Sequence, residues 1–127
     1  MADEITISAQ IGVEKGNSKL DRYVNSFTAD WTGTKWSYEI QTIGSGSGGN
    51  HESLNIGGDV LEPGYAWFRN GSSTATVQVG TVHGADEFEP FLSLRPGSIS
   101  LVELATVDLY AQAIGDEVDL EFWILEN

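Results

Sequence analysis

Apolar and polar residues alternate with a period of two along most of this chain. The alternation is clearest in four segments, residues 5–13, 36–40, 75–79 and 118–124. Five shorter segments have strand-like compositions, residues 54–56, 65–69, 91–94, 99–104 and 107–113. A period of two is typical of strands with one buried face, and no stretch shows a convincing helical stripe. The pattern therefore predicts an all-β fold of about eight to nine strands.

Glycine and proline residues recur at the short intervals that are typical of turns between the strands of a β-sandwich or barrel. Pro63-Gly64 and Pro96-Gly97 each suit a type II turn, because proline presets one central position and glycine tolerates a positive φ at the next. Asn70-Gly71 suits a tight hairpin turn. The glycine-rich run 44–49 is predicted to be a mobile, exposed loop tip. At 127 residues, we expect one antiparallel β-sandwich domain over residues 1–127, jelly-roll-like, with a closed barrel as the alternative.

The residue types restrict the chemistry available to the chain. There is no cysteine, so disulfides, thiolate metal sites and a cysteine nucleophile are excluded. His51 and His83 with carboxylates would be a poor ligand set for zinc, and no metal or cofactor is expected. Neither histidine lies in a recognisable nucleophile motif, and both are predicted to occupy surface or turn positions. The chain is therefore predicted not to be an enzyme.

The acidic cluster near the C-terminus was considered as a calcium site. Asp116, Glu117, Asp119 and Glu121 lie close together, but their spacing does not match a calcium-binding loop. On a strand, Asp119 and Glu121 share the face opposite Leu120. A solvated polar face is the preferred interpretation.

The net charge of −13 restricts the partners, because nineteen acidic residues face only six basic ones. Nucleic-acid binding depends on basic groups that replace counterions on phosphates, so neither nucleic acid nor an anionic membrane is expected as a partner. No segment approaches the apolar length of a membrane helix. The first residues are acidic where a signal peptide would be basic, so synthesis in the host cytoplasm is expected.

The four tryptophans are many for this length. Trp36 is in phase with Tyr38 and Ile40, which predicts that it packs in the core. Trp123 and Leu125 lie on the opposite side of their strand from an equally apolar face, so that side should also be covered. Two alternatives remain for what covers that side of the strand, the chain's own loops or a neighbouring subunit.

A series of short motifs follows in a fixed order along the chain. They are MADEIT at 1–6, QTIG at 41–44, ESLNIGGDV at 52–60, PGYAWFRN at 63–70, VQVG at 77–80, FLSLRPG at 91–97, LA at 104–105, LYAQA at 109–113 and VDLEFWILE at 118–126. Their order resembles that of a family of small proteins encoded among the virion genes of tailed bacteriophages. The resemblance covers most of the chain, is strongest after Gly57 and is weakest over residues 17–36. It implies a structural role in the virion.

Charge favours a place on the outside of the head, away from packaged DNA. The sequence therefore predicts a capsid decoration (cement) protein on the outer surface of the head, which binds the major capsid protein or other virion proteins and forms a homo-oligomer. A tail or neck component is the alternative within the virion. A carbohydrate-binding module that uses Trp31 or Trp67 is the alternative outside it. The candidate interface residues are Trp123, Leu125, Trp67 and Trp31, together with the basic Lys15, Lys19 and Arg22.

Overall fold

Ten β-strands account for the regular structure in the computed structural model, which describes residues 4–30, 35–44 and 50–126. Within β1 and β2 it describes the backbone throughout, and the side chains except those of residues 9, 11, 13, 20 and 22–30. The strands are β1 (Glu4–Lys15), β2 (Ser18–Asp30), β3 (Trp36–Ile43), β4 (Glu52–Ser53), β5 (Tyr65–Asn70), β6 (Thr76–His83), β7 (Glu87–Leu94), β8 (Ile99–Glu103), β9 (Tyr110–Ile114) and β10 (Val118–Leu125). The predicted all-β class is confirmed. Most of the predicted loop tip at 44–49 lies outside the described residues.

The chain divides into two compact units, Met1–Thr32 and Gly33–Asn127. The first unit contains an antiparallel hairpin of β1 and β2, which turns at Gly16 with φ of 60°. Its register shifts between Ile7 and Ala9, where β2 carries one extra residue as a bulge. The sequence pattern did not predict β2 as a strand.

The second unit contains eight strands in two four-stranded antiparallel sheets. The first sheet has the strand order β3-β10-β5-β8, and the second has the order β4-β9-β6-β7. Every connection crosses from one sheet to the other except the β6–β7 hairpin. The predicted antiparallel β-sandwich is confirmed in this unit. The jelly-roll-like topology and the extension of one domain over residues 1–127 remain predictions.

The core lies between the two sheets because alternate residues of each strand point inward. The first sheet contributes Phe68 and Phe122, whose ring centroids lie 6.3 Å apart, and the second contributes Val77 and Val79. All four side chains are fully buried. The core is apolar and continuous, which is the arrangement expected from the hydrophobic effect.

Asn70 is a fully buried polar residue that joins the two sheets. Its Nδ2 donates hydrogen bonds to the carbonyl oxygens of Ala75 (2.8 Å) and Leu94 (2.9 Å). Its Oδ1 accepts a hydrogen bond from the backbone N–H of Ser72 (2.8 Å). The tight hairpin predicted at Asn70-Gly71 is therefore wrong, because β5 and β6 lie in different sheets and the asparagine side chain organises a crossover between them.

The two proline-glycine pairs differ in structure. At Pro96-Gly97, Gly97 has φ of 76° and the N–H of Ser98 donates to the carbonyl oxygen of Arg95, as a type II turn requires. At Pro63-Gly64 the glycine does not have a positive φ, so the type II prediction is wrong there. Gly64 is instead buried, and its carbonyl oxygen accepts a hydrogen bond from the N–H of Leu104.

Candidate protein-binding face

The outer face of the first sheet carries large apolar side chains on all four of its strands. We call this surface the aromatic face, and it comprises Trp36, Tyr38, Ile40 and Thr42 of β3, Asp119, Glu121, Trp123 and Leu125 of β10, Tyr65, Trp67 and Arg69 of β5, and Ile99, Leu101 and Glu103 of β8. The residues between them on β10 and β5 point into the core and are buried. Toward its C-terminal end, β10 therefore carries apolar residues on both faces, with Trp123 and Leu125 on the outer one, as the sequence pattern predicted.

The strand register brings four apolar residues into one row across the middle of the face. Tyr38 lies opposite Trp123, Trp123 lies opposite Trp67, and Trp67 lies opposite Leu101. The rings of Tyr38 and Trp123 meet edge to face, with centroids 6.4 Å apart and planes at 87°. Cross-strand aromatic pairs of this kind stabilise a sheet by a few tenths of a kcal/mol up to about 1 kcal/mol. Trp123 is still 48% exposed after making these contacts.

The next row places a pair of opposite charges at the centre of the face. Its order is Ile40, Glu121, Arg69 and Ile99. Arg69 Nη1 lies 3.9 Å from Glu121 Oε1, and the hydroxyl of Tyr38 donates a hydrogen bond to Glu121 Oε2. That hydrogen bond and the negative charge of Glu121 raise the pKa of Tyr38 above its ordinary value. A carboxylate with two partners and a guanidinium therefore lie side by side between two exposed isoleucines.

The core position predicted for Trp36, in phase with Tyr38 and Ile40, is wrong. These side chains are 58%, 52% and 56% exposed and lie on the outer face. The inner positions of β3 hold Ser37 and Gln41 instead, and both are buried.

The two buried polar residues of β3 form hydrogen bonds with β4 and with the segment that follows it. Ser37 Oγ accepts a hydrogen bond from the N–H of Gly57 (2.9 Å). Gln41 Nε2 donates to the carbonyl oxygen of Ser53 (3.0 Å), while its Oε1 accepts from the N–H of Asn55 (2.8 Å). A buried polar side chain is tolerated when its hydrogen bonds are made, so Ser37 and Gln41 face inward while Trp36, Tyr38 and Ile40 face outward.

The candidate interface residues fall into two groups. Trp123, Trp67 and Leu125 lie on the aromatic face, where Trp67 and Leu125 are half-buried. Lys15 and Lys19 are exposed at the tip of the β1–β2 hairpin, and Lys19 Nζ lies 3.9 Å from Asp21 Oδ2. Trp31 lies outside the described residues, as does the side chain of Arg22.

Sequence reasoning missed the other half of the aromatic face. Ile99 and Leu101 are exposed on β8, and Arg69 completes the charged row. Alternation within residues 99–103 places Ile99 and Leu101 on one side of a strand. Their proximity to Trp67, however, depends on the pairing of β5 with β8, which no local pattern reveals.

The exposed apolar area of this face can be compared with the apolar patches of monomers and with the areas of known interfaces. Aromatic side chains have roughly 150–250 Å² each, so three of them at about half exposure leave on the order of 300 Å². The exposed isoleucines and leucine bring the apolar patch to on the order of 600 Å². The largest apolar patch of a typical monomer is about 300–600 Å², and a standard interface buries about 800 Å² per partner. The face is therefore as large as the largest apolar patches of monomeric proteins, which are often functional, and smaller than one side of a standard interface.

His51 is packed between aromatic rings on the second sheet. Its ring stacks on Phe88 with centroids 5.5 Å apart and meets the edge of Tyr110 at 5.7 Å, while Nε2 lies 2.8 Å from Asp86 Oδ1. His51 lies in the loop before β4, and its side chain is 11% exposed, so it is partly buried. These contacts attach the segment before β4 to the β6–β7 hairpin.

His83 lies at the end of β6 and is exposed, as predicted. Its Nε2 is 2.8 Å from Glu89 Oε1, and the hydrogen bond and charge of that carboxylate raise the pKa of His83. Among the described residues, no three His, Asp or Glu side chains lie close enough together to hold a metal ion. Within the same residues, no helix is long and apolar enough to cross a membrane.

The sequence and structure were compared with known proteins. The chain matches no protein-family model, no curated protein and no solved structure.

Proposed function

We propose that this protein is a non-enzymatic structural component of a bacteriophage particle, a capsid decoration protein on the outer surface of the head. The single observation that carries the proposal is the aromatic face. A sheet face with this much exposed apolar area is stabilised when another protein covers it. The order of sequence motifs resembles that of small virion proteins, and this resemblance is the reason for proposing a place in a phage particle.

Charge supports a place on the outside. Fourteen acidic residues of the sandwich unit face only Lys35, Arg69 and Arg95, which gives a charge of −11 for residues 33–127. Packaged DNA is a dense array of negative phosphates and would repel such a unit. The surface of the head avoids that repulsion, and the major capsid protein or another virion protein is the proposed partner there.

The interleaved strand order supports the jelly-roll-like topology. If β3 to β10 are counted as one to eight, the sheets have the orders 1-8-3-6 and 2-7-4-5. Eight strands in two sheets are also the architecture of viral capsid jelly rolls. We infer a jelly-roll-like sandwich, which gives the exposed face a rigid support.

A carbohydrate-binding module is the second candidate, since Trp67 and Trp123 lie directly opposite each other. A sugar stacks on the flat face of an aromatic ring. The perpendicular rings of Tyr38 and Trp123 break up a continuous platform, and isoleucines surround it. This mixture of aromatic and aliphatic side chains fits a protein partner better.

The proposal is tested by adding the purified protein to phage particles that lack it. We expect saturable binding to filled heads, measured by sedimentation of the particles and quantitation of the bound protein. Trp123→Ala should bind more weakly. Phe91→Ala is the matched control, because Phe91 is an aromatic residue with 46% exposure on the second sheet. Binding to isolated tails alone would favour the tail or neck alternative, and glycan-array binding lost in Trp67→Ala would favour the carbohydrate alternative.

A further inference from the structure

We propose that the aromatic face pairs with the same face of a second copy of this chain, about a twofold axis that runs along the strands between β10 and β5. This inference rests on the proposed function only in treating the face as a protein-binding surface. It names a second copy, rather than the capsid protein, as the occupant of that surface, so Trp123→Ala is expected to weaken particle binding through loss of the dimer.

The charged row is the first reason for choosing a second copy. Glu121 on β10 lies directly opposite Arg69 on β5 within one sheet. When two such faces are packed together, a twofold axis parallel to the strands exchanges the two central columns. Glu121 of each copy then faces Arg69 of the other. The central row of the face is thus complementary in charge to itself, as an isologous interface requires.

The apolar row obeys the same symmetry. The operation that pairs Glu121 with Arg69 also places Trp123 against Trp67 and Tyr38 against Leu101 of the second copy. Large apolar residues therefore meet large apolar residues along the whole row. The axis keeps the strands of both copies in nearly the same direction, which is the aligned mode of sheet packing.

The alternative axis is disfavoured by the positions of the charges. A twofold axis across the strands, along the apolar row, would place Glu121 against Leu125 and Arg69 against Tyr65. These positions follow from the two-residue steps along β10 and β5. A charge that is desolvated against apolar side chains is destabilising unless it keeps a partner. The axis along the strands gives Glu121 and Arg69 each a second partner of opposite sign, while Glu103 comes to face Trp36 at the edge of the sheet.

The net charge predicts how salt affects this pairing. Two sandwich units of −11 each repel one another at long range. Added salt shortens the range of this repulsion to about 8 Å at physiological ionic strength. The close apolar contacts are insensitive to this screening, so self-association should strengthen as salt rises from low to physiological concentration.

The test measures self-association of the full chain by sedimentation velocity at physiological salt. We expect a species of twice the 13.7 kDa chain mass. Arg69→Glu and Glu121→Arg should each weaken self-association by about a hundredfold or more, because each homodimer then places like charges together. A mixture of the two variants should recover the dimer, since every facing pair is again of opposite sign. A purely structural effect of either substitution would not be reversed by mixing.

A second measurement distinguishes the loss of the dimer contact from a folding defect. The chain has no cysteine, so Arg69→Cys and Glu121→Cys each introduce a single thiol. Under oxidation, the mixture should form a disulfide between position 69 of one copy and position 121 of the other. A wild-type chain that stays monomeric would overturn the inference, as would a dimer that neither charge reversal weakens. A monomer that still decorates particles would leave the proposed function standing, whereas a dimer that binds no particle would overturn the proposed function alone.

Discussion

Replacing Trp123 with alanine separates what this side chain contributes to folding from what it contributes to assembly. The side chain is 48% exposed, so roughly 120 Å² is buried against Tyr38 and Trp67 and a similar area faces outward. At about 25 cal/mol per Å², the buried half contributes about 2–3 kcal/mol to folding, as an upper estimate. The outward half contributes about 3 kcal/mol when a partner covers it, which corresponds to roughly a hundredfold in affinity.

The assay compares denaturant unfolding with association on the same preparations. Trp123→Ala should unfold at lower denaturant and also associate about a hundredfold more weakly. Phe91→Ala should lose a comparable amount of folding stability, because Phe91 is also about half-buried, yet associate like the wild type. If the folded fraction of Trp123→Ala associates normally, the residue is only part of the folded core. If Phe91→Ala weakens association equally, the effect is not specific to the aromatic face.

Four further outcomes are expected. Asn70→Leu should lower the free energy of unfolding by about 3–5 kcal/mol in a denaturant titration, because two carbonyl oxygens and one N–H lose their partner. Gly80→Ala should cost about 1–3 kcal/mol in the same assay, since its Cβ would lie 2.0 Å from a carbonyl oxygen of β7, whereas Gly58→Ala has open space and should be neutral. Glu121→Gln should lower the pKa of Tyr38 toward its ordinary value, seen as tyrosine ionisation at lower pH in an absorbance titration, and an unchanged titration would contradict the assigned hydrogen bond. Particle binding should hold or increase from low to physiological salt, and a steep loss would move the contact to the basic hairpin tip.

Segments with a constant phase were predictable from the sequence, and β2, in which the phase changes, was not. Apolar residues stand at every second position over residues 5–13, 36–40, 75–79 and 118–124, and each of these segments was predicted as a strand. In β6 the alternation ends at Val79, where the register with β7 shifts. In β2 the apolar residues stand at even positions up to Val24 and at odd positions from Phe27. The bulge explains this change, since Val24 pairs with Ala9 and Phe27 pairs with Ile7. One inserted residue reverses the parity of a strand, so a search for a fixed period of two passes over it.

The direction in which β3 faces could not be predicted for a different reason. Alternation shows that Tyr38 and Gln41 lie on opposite sides of the strand, but it does not show which side is buried. The usual assumption assigns the large apolar side to the core. Here the decision depends on the hydrogen bonds that Gln41 donates to the carbonyl oxygen of Ser53 and accepts from the N–H of Asn55, which are made only once β4 and the loop after it have folded against the strand.

The contrast between local alternation and contacts that form only on folding also explains how much of the aromatic face the sequence predicted. The apolar character of both faces of β10 is visible within residues 118–125, so Trp123 was identified as a residue that needs a cover. Tyr38 and Leu101 join it only because β3, β10, β5 and β8 lie side by side in that order. An apolar residue on the second face of a strand thus marks the centre of the exposed apolar face in the sequence, and strand order determines its extent. The pairing of Glu121 with Arg69 across β10 and β5 arises in the same way, and it converts an apolar patch into a surface that can distinguish one twofold arrangement from another.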